Sequence, residues 1–208
     1  MDATPIPAGA AAPDLAALVA ADRWRLWSTL VRGLSHQLAN ASQMLTLSPP
    51  PPAALDEARE RVAHATAALN VLRRPHSSSP TLLAPVLEDV ERLQRLQMDH
   101  PSTTVAMELT PGVPALALRA DEAAHLLLAL VTLFKDSAGE RRAQIALTVH
   151  EDGLGARLEM REEATCPAPA APASLEALVA SVHGRLEDGR DGAIVVWLPA
   201  WQRPAPRA

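Results

Sequence analysis

The sequence predicts an α+β protein in which a helical hairpin, paired with a second copy in a four-helix bundle, precedes an α/β sandwich. Between residues 15 and 47 the chain has no proline and a single glycine, and its apolar residues recur at alternating steps of four and three. A second segment with this spacing follows the stretch SPPPPAA, residues 48–54. After residue 80, strand-like and helix-like segments alternate, which predicts the sandwich.

The two N-terminal segments are predicted to form an antiparallel hairpin. Consecutive prolines remove amide donors and end the first helix, so the second helix turns back beside it. Two helices alone have too small a core to stand by themselves, which predicts a homodimer. The apolar seam of the first helix is Trp27, Val31, Leu34, Leu38, Ala41 and Leu45, and that of the second is Leu55, Ala58, Val62, Ala65, Leu69 and Leu72.

The C-terminal part is predicted from turn signals and periodicity. RRPHSSSP, residues 73–80, marks the boundary. The segments LLAPVLEDVERLQRLQ, DEAAHLLLALVTLFKDSA and SLEALVASVHGRL predict helices, and TTVAMEL, ALALR, GAIVVWLP and the two halves of AQIALTVHEDGLGARLEMRE predict strands. The predicted organisation is a disordered start at 1–13, the hairpin at 14–75, the α/β domain at 80–200 and a tail at 201–208.

Composition excludes several functional classes. The chain has 208 residues, 48% of them hydrophobic, and a net charge of −5, which disfavours nucleic acid as a partner. Cys166 is the only cysteine, so neither a disulfide framework nor a paired-thiol zinc site is predicted. The longest apolar run is shorter than the ~20 residues of a membrane span, and the first 20 residues lack Lys and Arg. We therefore expect a cytoplasmic protein without a membrane contact.

His36 is the candidate functional residue of the first helix. Helical spacing places it with Arg32, Gly33 and Asn40, roughly 200° away from the apolar seam. A neutral imidazole offers a nucleophilic nitrogen, and the neighbouring Arg32 and Asn40 side chains can attract and hydrogen-bond a phosphoryl group. A helix-interior glycine costs roughly 1 kcal/mol relative to Ala, and room beside the imidazole would explain Gly33. The same residues also fit a polar helix face without chemistry.

Four segments in order resemble the sensor histidine kinases. SHQLANASQML, residues 35–45, is similar to their phosphoacceptor box, a Ser-His-Glu-Leu-Arg-Asn-Pro type of string on the first helix of a dimerising hairpin. ALDEARERVAHATAALNVLRR takes the place of the return helix, DEAAHLLLALVTLFKDSA that of the N-box helix, and VHGRLEDGRDGAIVVWLPA that of the closing strand. The resemblance implies a degenerate α/β sandwich of the Bergerat, or GHKL, type after the hairpin.

The chain departs from the family where ATP would bind. Ala129 and Leu133 stand where the N-box has two asparagines, and neither can bind Mg²⁺ because hard cations require oxygen ligands. REEATC, residues 161–166, has no glycine where the family has Asp-x-Gly-x-Gly, and the segment before residue 174 is too short for a lid. Gln37 replaces the acid that follows the family's histidine. We therefore expect no bound cofactor and no autokinase activity.

A chain that keeps the histidine-bearing hairpin and lacks the ATP-binding residues resembles a kinase-derived histidine phosphotransferase of a phosphorelay. In that family His36 would take a phosphoryl group from one receiver aspartate and pass it to another, with Asn40, Gln37, Arg32 and Gly33 in support. The expected partners are response-regulator receiver domains, which supply their own Mg²⁺, and a hybrid histidine kinase. Receivers are predicted to dock on the hairpin beside Gln43, Met44 and Leu47.

Three other functions remain open from the sequence. A scaffold without enzymatic activity would bind a kinase or a receiver independently of His36. A phosphatase would use Gln37 or Asn40 to position water against a receiver's aspartyl-phosphate. A kinase with divergent boxes would still bind Mg-ATP. The other histidines lack metal-ligand spacing and are interpreted as structural; they are His64, His76, His100, His125, His150 and His183.

Overall fold

The computed structural model describes residues 14–46, 51–73, 80–96, 102–163 and 167–202. Two long helices come first, α1 (Leu15–Leu45) and α2 (Pro52–Arg73). The remaining elements are α3 (Leu83–Gln94), β1 (Thr103–Leu109), α4 (Ala120–Ala138), β2 (Ala143–Asp152), β3 (Gly155–Glu162), α5 (Ala173–Ser181), β4 (Arg185–Asp188) and β5 (Ile194–Pro199). Several predictions fall outside the described residues. They concern the disordered start at 1–13, Cys166, His76, His100 and most of the tail. None of the described helices is both long and apolar enough to cross a membrane.

The strands form one five-stranded sheet in the order β1-β2-β3-β5-β4. β1 pairs with β2 in parallel, and the other pairs are antiparallel. Burial alternates along β2, where every second residue from Ala143 to Val149 is buried, because successive side chains point to opposite faces of the sheet. The buried face packs under α3, α4 and α5. The predicted α+β class, a helical hairpin followed by a mixed α/β sandwich, is therefore confirmed.

Local sequence explains where several elements begin and end. Asp14 caps α1, because its Oδ1 accepts a hydrogen bond from the amide of Ala16 at 3.0 Å. In the same way the carboxylate of Glu122 accepts from the amide of Arg119 at 2.9 Å, just before α4 begins. Gly139, with φ at 58°, ends that helix. These caps satisfy amides and carbonyls that helix ends leave unpaired.

One predicted strand is absent and one predicted helix is shorter than expected. The segment ALALR, residues 115–119, is not a strand, since Leu116 makes only isolated bridges to Thr81 and Ala200. The helix predicted through residue 186 ends at Ser181. His183 adopts a φ of 59°, and the amide of Gly184 donates to the carbonyl of Val179 at 2.9 Å. This left-handed C-terminal cap stops the helix and turns the chain into β4.

The hairpin and the sandwich share one continuous core. The predicted seam of α1 is divided between two faces, because Leu34 and Ala41 are buried whereas Val31, Leu38 and Leu45 are exposed. Leu26 and Leu30 join Leu34 in a cluster of buried residues that runs into α3, α4 and α5. The N-terminal half of α1 therefore packs on the sandwich as well as on α2.

Candidate functional site

His36 lies on the exposed side of α1, roughly 160° around the helix from the exposed apolar residue Leu38. The side-chain nitrogen of Asn40, one turn further along, lies 3.0 Å from Nε2 of the imidazole. Because an amide nitrogen can only donate, Nε2 is the acceptor and the ring proton is on Nδ1. The Nε2 lone pair is thus oriented toward the short, half-buried side chain of Asn40.

Gln37 faces a different direction from His36. Its Oε1 accepts a hydrogen bond of 2.8 Å from Nη1 of Arg61 on α2. The predicted supporting residue is therefore engaged in a bridge between the two helices of the hairpin. Arg61 carries no signal in the sequence by which it could have been found, because its contact with Gln37 depends on the register of the hairpin.

The structure explains the glycine at residue 33 by helix packing, which differs from the predicted reason. It is buried, and a methyl group at its position would overlap the backbone carbonyl oxygen of Leu96, just after α3. The glycine allows the end of α3 to approach α1 closely, so the interpretation that it leaves room for a phosphoryl group is not needed. Arg32 is exposed and forms no hydrogen bond or ion pair with the residues that the structure describes.

The predicted docking residues are partly described. Gln43 is exposed and Met44 is half-buried, both on α1 and about two turns beyond His36. Leu47 lies outside the described residues. Gln43 and Met44 are therefore available beside His36, on the C-terminal side that was predicted for a receiver.

A buried hydrogen bond between a histidine and an aspartate joins α1 to α4, and the sequence did not predict it. Nε2 of His125 lies 3.1 Å from Oδ2 of Asp22, and both side chains are almost fully buried. Arg25 donates to the other carboxylate oxygen of Asp22 at 3.1 Å. Burial by itself would raise the pKa of the Asp22 carboxyl, but the hydrogen bonds from His125 and Arg25 and the charge of Arg25 outweigh it, and the net pKa is lowered.

The lowered pKa of Asp22 predicts an acid-sensitive fold. Since the folded-state pKa lies below the ordinary value of about 3.9, ionised Asp22 stabilises the fold above that pH, and this contribution is lost as the pH falls through the folded-state pKa. We expect Asp22→Asn to lower the free energy of unfolding by about 1–3 kcal/mol at neutral pH. The difference from the wild-type protein should narrow in urea titrations as the pH falls below about 3.9, the ordinary pKa of an aspartate.

Asp56→Asn is the matched control for this prediction. Asp56 pairs with Arg59 on the surface of α2, with more than three quarters of its side chain exposed, so its contribution should be small at every pH. A pH-independent difference between Asp22→Asn and the wild-type protein would contradict the assigned ionisation of Asp22.

Ala129 and Leu133, the two departures from the N-box, line a cavity of about 270 Å³ between α1, α4 and α5. Asp22 and Arg25 of α1 form another wall of this cavity. Neither Ala129 nor Leu133 offers an oxygen to a cation. Within the described ranges, His, Cys, Asp and Glu nowhere gather in a group of three or more that could hold a metal ion.

The chain matches no protein-family model and no curated protein. Among solved structures it is similar to a bacterial phosphotransferase, with 13% identity, a TM-score of 0.45, and coverage of 93% of this chain and 100% of that one. It is also similar to the histidine kinase AdeS of Acinetobacter baumannii, with 13% identity, a TM-score of 0.42 and coverage of 84% and 95%. It is similar as well to the histidine kinase domain of the E. coli osmosensor EnvZ, with 14% identity and a TM-score of 0.46. That match covers 65% of this chain and 97% of the EnvZ domain. The similarity is one of fold, at identities too low to transfer residue roles.

Proposed function

We propose that this chain is a histidine phosphotransferase of a phosphorelay, in which His36 carries a phosphoryl group between the aspartates of response-regulator receiver domains. The observation that carries the proposal is the exposed imidazole of His36, with Nε2 held as an acceptor by Asn40 on a helical hairpin. An acceptor nitrogen has the lone pair that attack on phosphorus requires, and its exposure admits a globular partner.

The transfer needs little from this chain beyond the placed imidazole. As the Nε2–P bond forms, the bond between phosphorus and the receiver's carboxylate oxygen breaks, and the carboxylate leaves with the electron pair. The receiver's Mg²⁺ neutralises the phosphoryl charge, so no metal of this chain takes part. Asn40 and the exposed Arg32 offer N–H donors to the phosphoryl oxygens. The reverse reaction passes the group to a second receiver.

ATP is not the proposed donor. Ala129 and Leu133 present apolar side chains where the resembled kinases bind magnesium. Phosphoryl transfer from ATP depends on metal and on positioning of the phosphates, and these two residues provide neither.

The assay that tests the function compares two mixtures of the purified protein. One contains radiolabelled ATP alone, and the other also contains a trace of an unrelated kinase and a receiver domain that this kinase phosphorylates. We expect acid-labile label on this chain only in the second mixture. Label in the first mixture would indicate an autokinase, and stable receiver binding without label in either would indicate a scaffold.

The hairpin is proposed to form a homodimeric four-helix bundle. Trp24, Val31, Leu38 and Leu45 are spaced by seven along α1, and all four are exposed. Val62 and Leu69 of α2 are also exposed and seven residues apart. A heptad-spaced apolar stripe on two adjacent helices is typical of a coiled-coil interface, and a second copy presents the same stripe. The stripe lies on the side of α1 opposite His36, which stays accessible in such a dimer.

Leu38→Glu should convert the dimer to a monomer. In a two-fold interface each substitution occurs twice. Leu38 is 40% exposed in the single chain, so each lost Leu costs roughly 1 kcal/mol of burial, and placing the Glu charge in the interface adds a larger cost. We therefore expect the dissociation constant to rise by at least about 100-fold, measured by light scattering across a dilution series. Leu154→Glu, at the exposed turn between β2 and β3, is the control and should leave the dimer unchanged. A monomeric wild-type protein would contradict the proposed bundle.

A further inference from the structure

Arg61 connects the two helices of the hairpin at the level of the proposed phosphoacceptor. Its Nη1 donates to Oε1 of Gln37 at 2.8 Å, and its Nε and Nη2 donate to Glu57 at 3.2 and 2.7 Å. Among the described residues this is the side-chain hydrogen bond that joins α1 to α2. Only 27% of the Arg61 side chain is exposed. The guanidinium is therefore held by Glu57 of its own helix as well as by Gln37 of α1.

The contact determines which end of the Gln37 amide faces outward. A guanidinium has donors and no acceptor, so the amide atom that faces Arg61 must be the oxygen. The NH₂ end of Gln37 is then turned away from α2. Gln37 borders a groove of about 300 Å³ whose other walls include His64 and Leu96. Gln37 follows His36 directly on α1, and its amide thus has the oxygen held by Arg61 and the NH₂ group turned away from that guanidinium.

The orientation of the Gln37 amide matters because a phosphoryl group at His36 can undergo two reactions, transfer and hydrolysis. Transfer requires donors to the phosphoryl oxygens, which an NH₂ group supplies. Hydrolysis forms a bond between a water oxygen and phosphorus, breaks the P–N bond to His36 or the P–O bond to the receiver aspartate, and moves a water proton to the leaving imidazole nitrogen or carboxylate. An amide oxygen is the group that would orient this water, because it accepts a hydrogen bond from it.

We propose that Arg61 is a positioning residue that holds the Gln37 oxygen against α2 and thereby favours transfer of the phosphoryl group over its loss to water. The inference rests on the proposed function, because it requires a phosphoryl group to pass through His36. A purely structural role of Arg61 predicts a different result. In that case its loss would affect stability and leave the ratio of hydrolysis to transfer unchanged.

Arg61→Met tests the inference, because it keeps the apolar stem and removes every donor. The probe is a radiolabelled phosphorylated receiver domain, incubated with the variant, and the readouts are released inorganic phosphate and label on His36. We expect phosphate release to rise roughly tenfold, the effect of about one added hydrogen bond to the attacking water. Adding Gln37→Ala to Arg61→Met should return release to the wild-type rate, and Arg61→Lys should partly retain the wild-type ratio.

Gln37→Glu provides a second variant that keeps Arg61 and its contacts. One carboxylate oxygen would pair with Arg61 while the other replaces the outward NH₂ group with an acceptor, so phosphate release should rise here too. If phosphate release is unchanged in both variants and His36 is labelled normally, the proposed role of Arg61 is overturned and the proposed function is not. A rise that persists in the double variant would also overturn it. Absence of label on wild-type His36 would overturn the proposed function together with this inference.

Discussion

His36→Gln should abolish receiver-dependent labelling of the protein, by at least about 1,000-fold relative to the wild-type chain. The substitution removes the nucleophilic nitrogen and keeps a polar side chain on an exposed helix position, so the fold and the dimer should be unaffected. Gel autoradiography after acid and base treatment measures the outcome, because phosphohistidine is labile to acid. Circular dichroism and light scattering verify that the variant remains folded and associated.

The matched control for this prediction is His64→Gln. His64 is another exposed histidine, on α2, at the border of the same groove as Gln37. Its replacement should leave labelling intact, since the Nε2–Asn40 hydrogen bond is a feature of His36. Label that survives His36→Gln, or that is lost with His64→Gln, would contradict the assignment of the phosphoacceptor.

Gly33→Ala should destabilise the protein even though alanine is the better helix former. A methyl group at residue 33 would overlap the carbonyl oxygen of Leu96 and lie 2.9 Å from its carbonyl carbon. Backbone atoms cannot move aside as a flexible side chain can, so α3 must shift away from α1. We expect a net loss of roughly 1–3 kcal/mol in the free energy of unfolding, after a gain of about 1 kcal/mol from helix propensity. Urea denaturation measures it.

Ser35→Ala is the control for the helix-propensity contribution. Ser35 is exposed on the same helix, and its replacement should raise stability by a few tenths of a kcal/mol, or about 0.5 at most. If Gly33 instead served to admit a phosphoryl group, Gly33→Ala would raise stability by about 1 kcal/mol and reduce labelling of His36. The two interpretations of the glycine therefore differ in the sign of the stability change.

Local patterns predicted the elements that depend on near neighbours. Apolar periodicity located α1, α2 and α4, and the turn signal EDGLG separated β2 from β3. The prediction was less accurate where a single residue adopts a rare backbone conformation. His183 at a positive φ ended α5 before the predicted limit, because a left-handed cap leaves no signal in hydrophobic periodicity.

Heptad spacing alone could not predict which partner each seam residue has. The seam of α1 reads as one stripe, yet Leu34 is buried against the rest of the chain and Leu38 is exposed on the apolar stripe. Neighbouring seam positions lie about 40–60° apart around a helix, so a second packing partner can divide them. That partner is the α/β sandwich, which packs on the N-terminal half of α1.

The sequence by itself determined the α+β class, the hairpin and the placement of His36 on a polar helix face, because these follow from the period of the helix and from residue types. Only the tertiary structure decided what surrounds that face. The Asp22–His125 hydrogen bond joins residues 103 positions apart, and the bond between Gln37 and Arg61 joins residues 24 positions apart. The carbonyl group of Leu96 packs against Gly33. Such contacts depend on how packed helices align in three dimensions, and no local spacing specifies that alignment.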